Sequence, residues 1–480
     1  MEFGLLPRLR HSRPRIGAPL LVMAVLAPAL RCPPPAATAA LRWAVRSGAA
    51  PPPSPFEKIR RSSGQARCSD GWGAPDAGRA GAALDAALEA SGRYEALPSE
   101  FEPLGPRGCA LLEHELSLEL LVGYEAMLAR ARRELEVCHP GDHVLFSVFV
   151  FEPGDTSEKL IAELAAAARR GVRITLRTDT SAFSWFTRFC EGTTTLIDRL
   201  QDLSQSMPEH VAFEPPDFPT HVKLLLFRRR GQADVAIFGG INVGDRFRSW
   251  RDFSVVVSGD RGVDALLESL DWPRPQRGPG EALGLRRLQF VTNKPDAWDW
   301  PAWLLRRPFA GVFDLGARME RFFADEGLVR YRVVASYIDD SGLELLACAL
   351  SRGASVQLVL PRMPNVYKDC NARTLGLLVS RWKGCGLLTL KLHEEMVHAK
   401  AAVAEGGGGP RNRAGYIGSC NLKRRSFSQF EELNAFTEDQ VFCGSLWHEL
   451  GVLLEEAEEV FSHRELPFSP VTAVLEDYFG

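Results

Sequence analysis

Regular patterning of apolar and polar positions begins only past Ala83, and it falls into short blocks. Residues 144–151 (VLFSVFVF) are a continuous apolar run of strand length, while 157–170 set Leu160, Ile161, Leu164, Ala165 and Ala168 on one helical face that Gly171 ends. Residues 172–178 read as another strand, so the block predicts strand, crossover helix and parallel strand. The same order returns as a strand at 331–338, a helix at 342–351 carrying Leu343, Leu345, Leu346 and Leu350, the turn Arg352-Gly353, and a strand at 355–360. Between the copies, 271–325 gather Trp272, Pro273, Pro275, Pro279, Trp298, Trp300, Pro301 and Trp303, which reads as a structured connector held by packing. An internal duplication of an α/β unit follows, with its seam near 275–325.

The length of 480 residues suits about three units, or two large ones with tails, at roughly 150 residues each. With 45% hydrophobic and 24% charged residues, the composition excludes collagen-like, multi-span membrane and wholly disordered chains. The net charge of −3 hides an asymmetry: residues 1–80 hold twelve Lys and Arg against four acids, leaving 45 against 56 for the rest. That acidic body argues against a surface built to neutralise a run of nucleic-acid phosphates, so nucleic acid is not an expected partner. The ten cysteines include no C-x-x-C pair, which removes zinc-ribbon and thioredoxin-type readings.

Seven arginines and a single acid, Glu2, occupy the first fifty residues around an uncharged run from Ile16 to Leu30. That run is short of the about 20 residues a membrane span needs. With the small-residue site Ala37-Thr38-Ala39 and an Arg-rich continuation to Arg67, it is expected to be a targeting segment directing the protein to an organellar membrane, plastid or mitochondrial. The expected organisation is thus a targeting or disordered segment at 1–85, a first domain at 86–275, the connector at 276–325 and a second domain at 326–480.

Each copy runs on to the tripeptide H-x-K: Thr220-His221-Val222-Lys223 in the first, Val397-His398-Ala399-Lys400 in the second. Lysine is scarce, so composition alone predicts about 0.2 such tripeptides in the chain. Each is followed by a small-residue turn and an asparagine, Asn242 after Phe238-Gly239-Gly240 and Asn421 after Gly418-Ser419-Cys420. In an extended chain His and Lys at i and i+2 share one face. Two such segments meeting about a pseudo-dyad would bring two His, two Lys and two Asn into one cleft. Lysine and amide donors hold phosphate oxygens, while one imidazole attacks phosphorus and the other protonates the leaving alkoxide. Such a site has no need of a metal or other cofactor.

These residues resemble the paired H-x-K-x4-D motifs of the phospholipase D superfamily, over roughly 110–270 and 326–440. Within it, FGGINVGDRF (238–247), SWRDFSVVVSG (249–259) and GSCNLKRRSFSQFEE (418–432) are similar to bacterial-type cardiolipin synthases. The resemblance implies two α/β/α sandwich domains with pseudo-two-fold symmetry around one shared active site. It implies double displacement through a phosphohistidine, with a phosphatidylglycerol-like phospholipid as substrate and a membrane surface as partner. Carried over, His221 is the nucleophile and His398 the general acid and base, roles the near-symmetry allows to be exchanged. Lys223, Lys400, Asn242 and Asn421 grip the phosphate, and Asp252 and Glu432 are carboxylates backing the histidines. The chain departs from the pattern at Arg228, where the acid of the first motif is expected, and has Glu405 at that place in the second. Water as acceptor would make the same site a phospholipase D, and a nuclease on the same scaffold is the rival substrate class.

Other features read as structural. His393 and His398 are five apart, one too many for a zinc-protease helix. The run Gly406–Gly409 lacks the following Gly-Lys-Ser/Thr of a phosphate loop and is expected at a hairpin tip. Arg411, Arg413, Lys423, Arg424 and Arg425 read as a solvated basic face, or as contacts to anionic headgroups.

Overall fold

The computed structural model describes residues 116–179, 196–216, 218–271, 287–409 and 412–479. The expected targeting segment lies outside them, and all of them belong to one unit, Pro75–Gly480. No helix among the described residues is long and apolar enough to cross a membrane.

The first half runs β1 (Ser117–Val122), α1 (Tyr124–Glu136), β2 (His143–Val148), α2 (Asp155–Arg169), β3 (Arg173–Thr178), α3 (Ile197–Ser206), β4 (Val211–Phe213), β5 (Leu224–Arg228), β6 (Val235–Gly239), β7 (Phe253–Ser258) and α4 (Asp260–Ser269). The second continues β8 (Leu288–Pro295), α5 (Trp300–Leu304), β9 (Gly311–Phe313), α6 (Leu315–Ala324), β10 (Leu328–Val334), α7 (Asp340–Ser351), β11 (Ser355–Pro361), α8 (Lys368–Trp382) and β12 (Leu388–His393). It ends with β13 (Ala401–Gly406), β14 (Arg413–Gly418), α9 (Arg424–Ser428), β15 (Glu432–Thr437), α10 (Gln440–Glu456), β16 (Glu458–Glu459) and α11 (Pro470–Phe479).

The strands form two mixed sheets, ordered β1-β7-β6-β5-β2-β3-β4 and β16-β12-β11-β10-β13-β14-β15-β8-β9. Read from opposite ends, the seven strands of the first match the inner seven of the second, with β9 and β16 added at its edges: β2, β3 and β4 are parallel neighbours, as are β10, β11 and β12, while β5 and β13 pair antiparallel to β2 and β10. In this match β8 takes the place of β1. The Trp/Pro-rich stretch read as a connector therefore supplies the first strand of the second repeat, and its Trp303 packs with Phe309 in a small core of its own.

Both faces of each central strand are buried, so these strands are nearly all apolar instead of alternating. In β5, Leu225 and Phe227 face an outer core with α1, α2 and α3, whereas Leu224 and Leu226 face an inner core. In β13, Ala402 and Ala404 join the outer core of α6, α7 and α8, and Ala401 and Val403 the same inner core. The inner core holds residues of both sheets together with α4 and α10, so one apolar layer fixes the halves to each other.

Candidate active site

The two H-x-K segments end where the halves meet, immediately ahead of β5 and β13, in extended chain outside the strands. Backbone pairs cross the junction symmetrically. His221 N donates to Glu431 O at 2.8 Å and Glu431 N to Pro219 O at 2.9 Å; on the other side His398 N donates to Arg251 O at 2.7 Å and Arg251 N to Met396 O at 2.9 Å. In each segment the lysine folds back on its own histidine, Lys223 Nζ donating to His221 O at 2.7 Å and Lys400 Nζ to His398 O. Lys400 Nζ also donates to Ser336 Oγ at 3.1 Å. Both lysines are buried.

The carboxylates are exchanged between the halves. His221 Nδ1 lies 3.1 Å from Glu432 Oε2 of the second half and 3.1 Å from Ser419 O; His398 Nδ1 lies 2.7 Å from Asp252 Oδ2 of the first. A carbonyl oxygen accepts only, so the proton of His221 sits on Nδ1 and its Nε2 keeps a lone pair. The Asp252 carboxylate sets the same tautomer on His398. Room for this carboxylate explains Gly240, because a Cβ there would stand 2.5 Å from Asp252 Oδ1. The matching position is Ser419, whose hydroxyl donates to Glu432 Oε2 at 2.5 Å.

Rings from both halves flank each imidazole. His221 has Phe149 at 5.0 Å and Phe430 at 6.2 Å between ring centroids; His398 has Trp250 at 4.9 Å and Tyr337 at 6.3 Å. This dry enclosure dominates the titration of the site. Burial, and then the charges of Lys223, Lys400 and Lys423, hold His221 well below the usual imidazole range. Burial and Lys400 bring His398 down to about 3 against the opposing pull of Asp252. Burial lowers Lys400 to about 8 and raises Glu432 to about 7. A set of cations crowded together without water is a site that an anion stabilises.

Of the nine residues expected in the site, eight converge here. Asn242 Oδ1 accepts from Val150 N at 3.0 Å, which leaves its amide hydrogens to donate, and Asn421 is 1% exposed. Glu405 does not join them. It ends β13, far from Lys400, where it accepts from Arg413 at 2.6 Å and pairs with Arg330. Arg228 occupies the same place on β5 and pairs with Asp234 at 3.0 Å and Asp264 at 3.1 Å. The hairpin closed by Glu405 and Arg413 in one half is closed by Arg228 and Asp234 in the other, with the charges reversed. The unusual residue is therefore accommodated away from the histidines.

Of the two readings of the basic run, a solvated face or contacts to anionic headgroups, burial removes the first for Lys423 and Arg425, which are 7% and 5% exposed. Arg425 lies over Trp303 at 4.7 Å and donates to Gln429 Oε1 at 2.7 Å. Lys423 faces the cleft among Tyr367, Tyr337 and Phe430, at 4.4, 5.6 and 5.8 Å from their ring centroids. Its place two residues past Asn421 was the available signal, hidden by the basic run that continues through Arg424 and Arg425.

Comparison with known proteins agrees with this geometry. Residues 329–454 match the family model described as the phospholipase D-like domain of cardiolipin synthase. Over that segment the chain resembles the phospholipase D superfamily. It is 25% identical over 240 residues to cardiolipin synthase A of Pseudomonas putida (strain GB-1), a match covering 47% of this chain and 46% of that protein. The chain thus spans about half the length of that relative. Phosphatidylserine synthase of Haemophilus influenzae Rd KW20 shares the fold, with a TM-score of 0.54 at 12% identity, over 75% of this chain and 92% of that one.

Proposed function

We propose that the protein is a phosphatidyltransferase that moves a phosphatidyl group from phosphatidylglycerol, or a related phospholipid, to an alcohol acceptor. The observation carrying this reading is the crossed pair of Nδ1 contacts, which leaves two neutral imidazoles with free Nε2 lone pairs among buried lysines. His221 Nε2 attacks phosphorus, the bond from phosphorus to the glycerol oxygen breaks, and the departing alkoxide takes a proton from His398. The acceptor hydroxyl then gives its proton to His398 and attacks phosphorus, and the bond to His221 breaks. The substrate's negative charge among the lysines raises the proton affinity of His398, so protonation accompanies binding. Lys223, Lys400, Asn242 and Asn421 hold the phosphate oxygens, and Asp252 and Glu432 position the imidazoles. The similarity of 329–454 to the cardiolipin synthase domain favours a lipid alcohol as acceptor. On this reading the protein works at a membrane surface.

The test is incubation of the full chain with labelled phosphatidylglycerol vesicles beside His221→Ala, resolving products by mass. Cardiolipin and glycerol, absent in the variant, are expected. Phosphatidic acid alone would replace transfer by hydrolysis, and cleavage of oligonucleotides without lipid turnover would overturn the reading.

A further inference from the structure

Strand register matches the two halves residue by residue around the lysines. Ser147 stands opposite Leu224, three past His221, and Val334 opposite Ala401, three past His398. Phe149 and Ser336, each two residues further on, therefore hold equivalent places beside Lys223 and Lys400, and their chemistry differs. Lys223 Nζ lies over the ring of Phe149, 5.2 Å from its centroid. Ser336 is fully buried, and its Oγ accepts from Lys400 Nζ at 3.1 Å.

The loops that carry these two residues are also held differently. In the first half Val150 N donates to Asn242 Oδ1 at 3.0 Å, so the asparagine of the site fixes the loop itself. Asn421 takes no such part, because its Oδ1 is buried with no hydrogen-bond partner among the described residues. The second loop is held instead by Asn371 of α8, a residue 3% exposed whose Oδ1 accepts from Ile338 N and whose Nδ2 donates to Ser336 O, both at 2.9 Å. The two bonds straddle Tyr337 and pin the backbone of Ser336 directly.

An ammonium has three protons to donate. In Lys400 one goes to His398 O and one to Ser336 Oγ, which gives the third a fixed direction. An ammonium over a ring is attracted to its face without any one proton being aimed. We infer that Ser336, held in place by Asn371, is a positioning residue that makes Lys400 the lysine of fixed geometry, while Lys223 adapts. Lys400 then presents one proton to the same phosphate oxygen throughout both displacements, and Lys223 follows the oxygens that move. This rests on the phosphate-transfer reading of the paired His-Lys site and adds to it two residues that act through Lys400.

Titration of Lys400 tests this apart from turnover. The full chain labelled with carbon-13 at lysine Cε is followed by NMR from about pH 6 to 11, the Lys400 signal being the one lost in Lys400→Met. Burial brings this amine down to about 8. The Ser336 hydroxyl stabilises the charged form, so Ser336→Ala should lower the midpoint further, by about one pH unit, with circular dichroism reporting a native fold. Asn371→Ser, too short to reach both partners, should move the midpoint the same way, and on the Ser336→Ala background it should move nothing further. On phosphatidylglycerol vesicles either variant should lower kcat/KM about tenfold and displace its alkaline limb to lower pH, whereas a residue that only supports the fold would leave the limb in place. A Ser336→Ala midpoint within about 0.3 pH unit of the wild type would overturn the inference. An unmoved midpoint in Asn371→Ser, or a shift that persists in full without the Ser336 hydroxyl, would remove Asn371 from it. If the midpoints move as expected but vesicles are not turned over, the transferase reading fails and the positioning of Lys400 stands.

Discussion

Replacing Asp252 by Asn probes the exchange of carboxylates most directly, because the structure predicts which way the new amide turns. Asp252 Oδ1 accepts from Phe253 N at 2.8 Å, and Oδ2 takes the His398 Nδ1 proton at 2.7 Å. In Asp252→Asn the amide oxygen stays with the backbone donor, so the NH2 faces Nδ1 and drives His398 into the opposite tautomer, with Nε2 protonated and Nδ1 accepting. The lost bond is between buried partners, 5% and 4% exposed, and charge-assisted, worth about 1.5–3 kcal/mol or roughly 10- to 100-fold in rate. Inverting a catalytic imidazole adds to this, up to about 10⁴-fold in all. Glu432→Gln should be milder, about tenfold, because Ser419 O still holds the His221 Nδ1 proton. The assay is kcat for glycerol release from phosphatidylglycerol vesicles. On a His398→Ala background Asp252→Asn should cost nothing further, since the two act as one unit. A kcat for Asp252→Asn within threefold of wild type, or a larger loss in Glu432→Gln, would refute the argument.

Further outcomes follow from neighbouring contacts. Gly240→Ala forces a methyl to 2.5 Å from Asp252 Oδ1 and should lower kcat about 100-fold, an effect that normal turnover would disprove. Arg228→Asp restores the acid of the family pattern yet faces Asp234 and Asp264, so it should destabilise the fold by about 3–5 kcal/mol in denaturant melts; an unchanged midpoint would contradict the reversed-charge hairpin. Lys400, lowered to about 8 from 10.5, loses its charge as pH rises through 8, so kcat/KM should fall there. Between pH 8 and 10.5 the unfolded chain holds a proton on this lysine that the folded one has released, so its contribution to stability rises with pH, opposite in sign to activity. In Lys400→Met the fall in kcat/KM near pH 8 should weaken, and a matched comparison of the two profiles checks it.

The repeat was legible because both copies bury their central strands on two faces, producing apolar blocks such as 144–151 and 331–338 that no exposed strand would show. The H-x-K pairs and their asparagines stood out by rarity. The exchange of acids did not, because Asp252 lies closer in sequence to His221 than to His398, and only the crossing of Arg251 to Met396 and of Glu431 to Pro219 reverses the partners. The first strand of the second repeat, β8, was masked by the Trp and Pro around it. Lys423 was hidden for a related reason: it sits in a basic run that reads as surface, and its burial is set by Tyr337 and Tyr367, which lie far away in the chain.

The exchanged carboxylates bear on why the two repeats remain one chain. Each half carries a histidine and a lysine of its own but takes the acid that fixes its imidazole from the other half. A separated half would keep its imidazole and lose the acid that fixes its tautomer, so the proposed mechanism requires both halves docked through the inner core of β5, β6, β7, β13, β14 and β15. Once the halves are covalently linked, symmetry is no longer required for that docking, and each can diverge wherever the dyad does not constrain it. The reversed hairpin at Arg228 is such a divergence at the far end of the strand, neutral to the centre. Lys423 opposite Gly244 is the same freedom used beside the histidines, where the second half places a buried cation that the first does not have at that position.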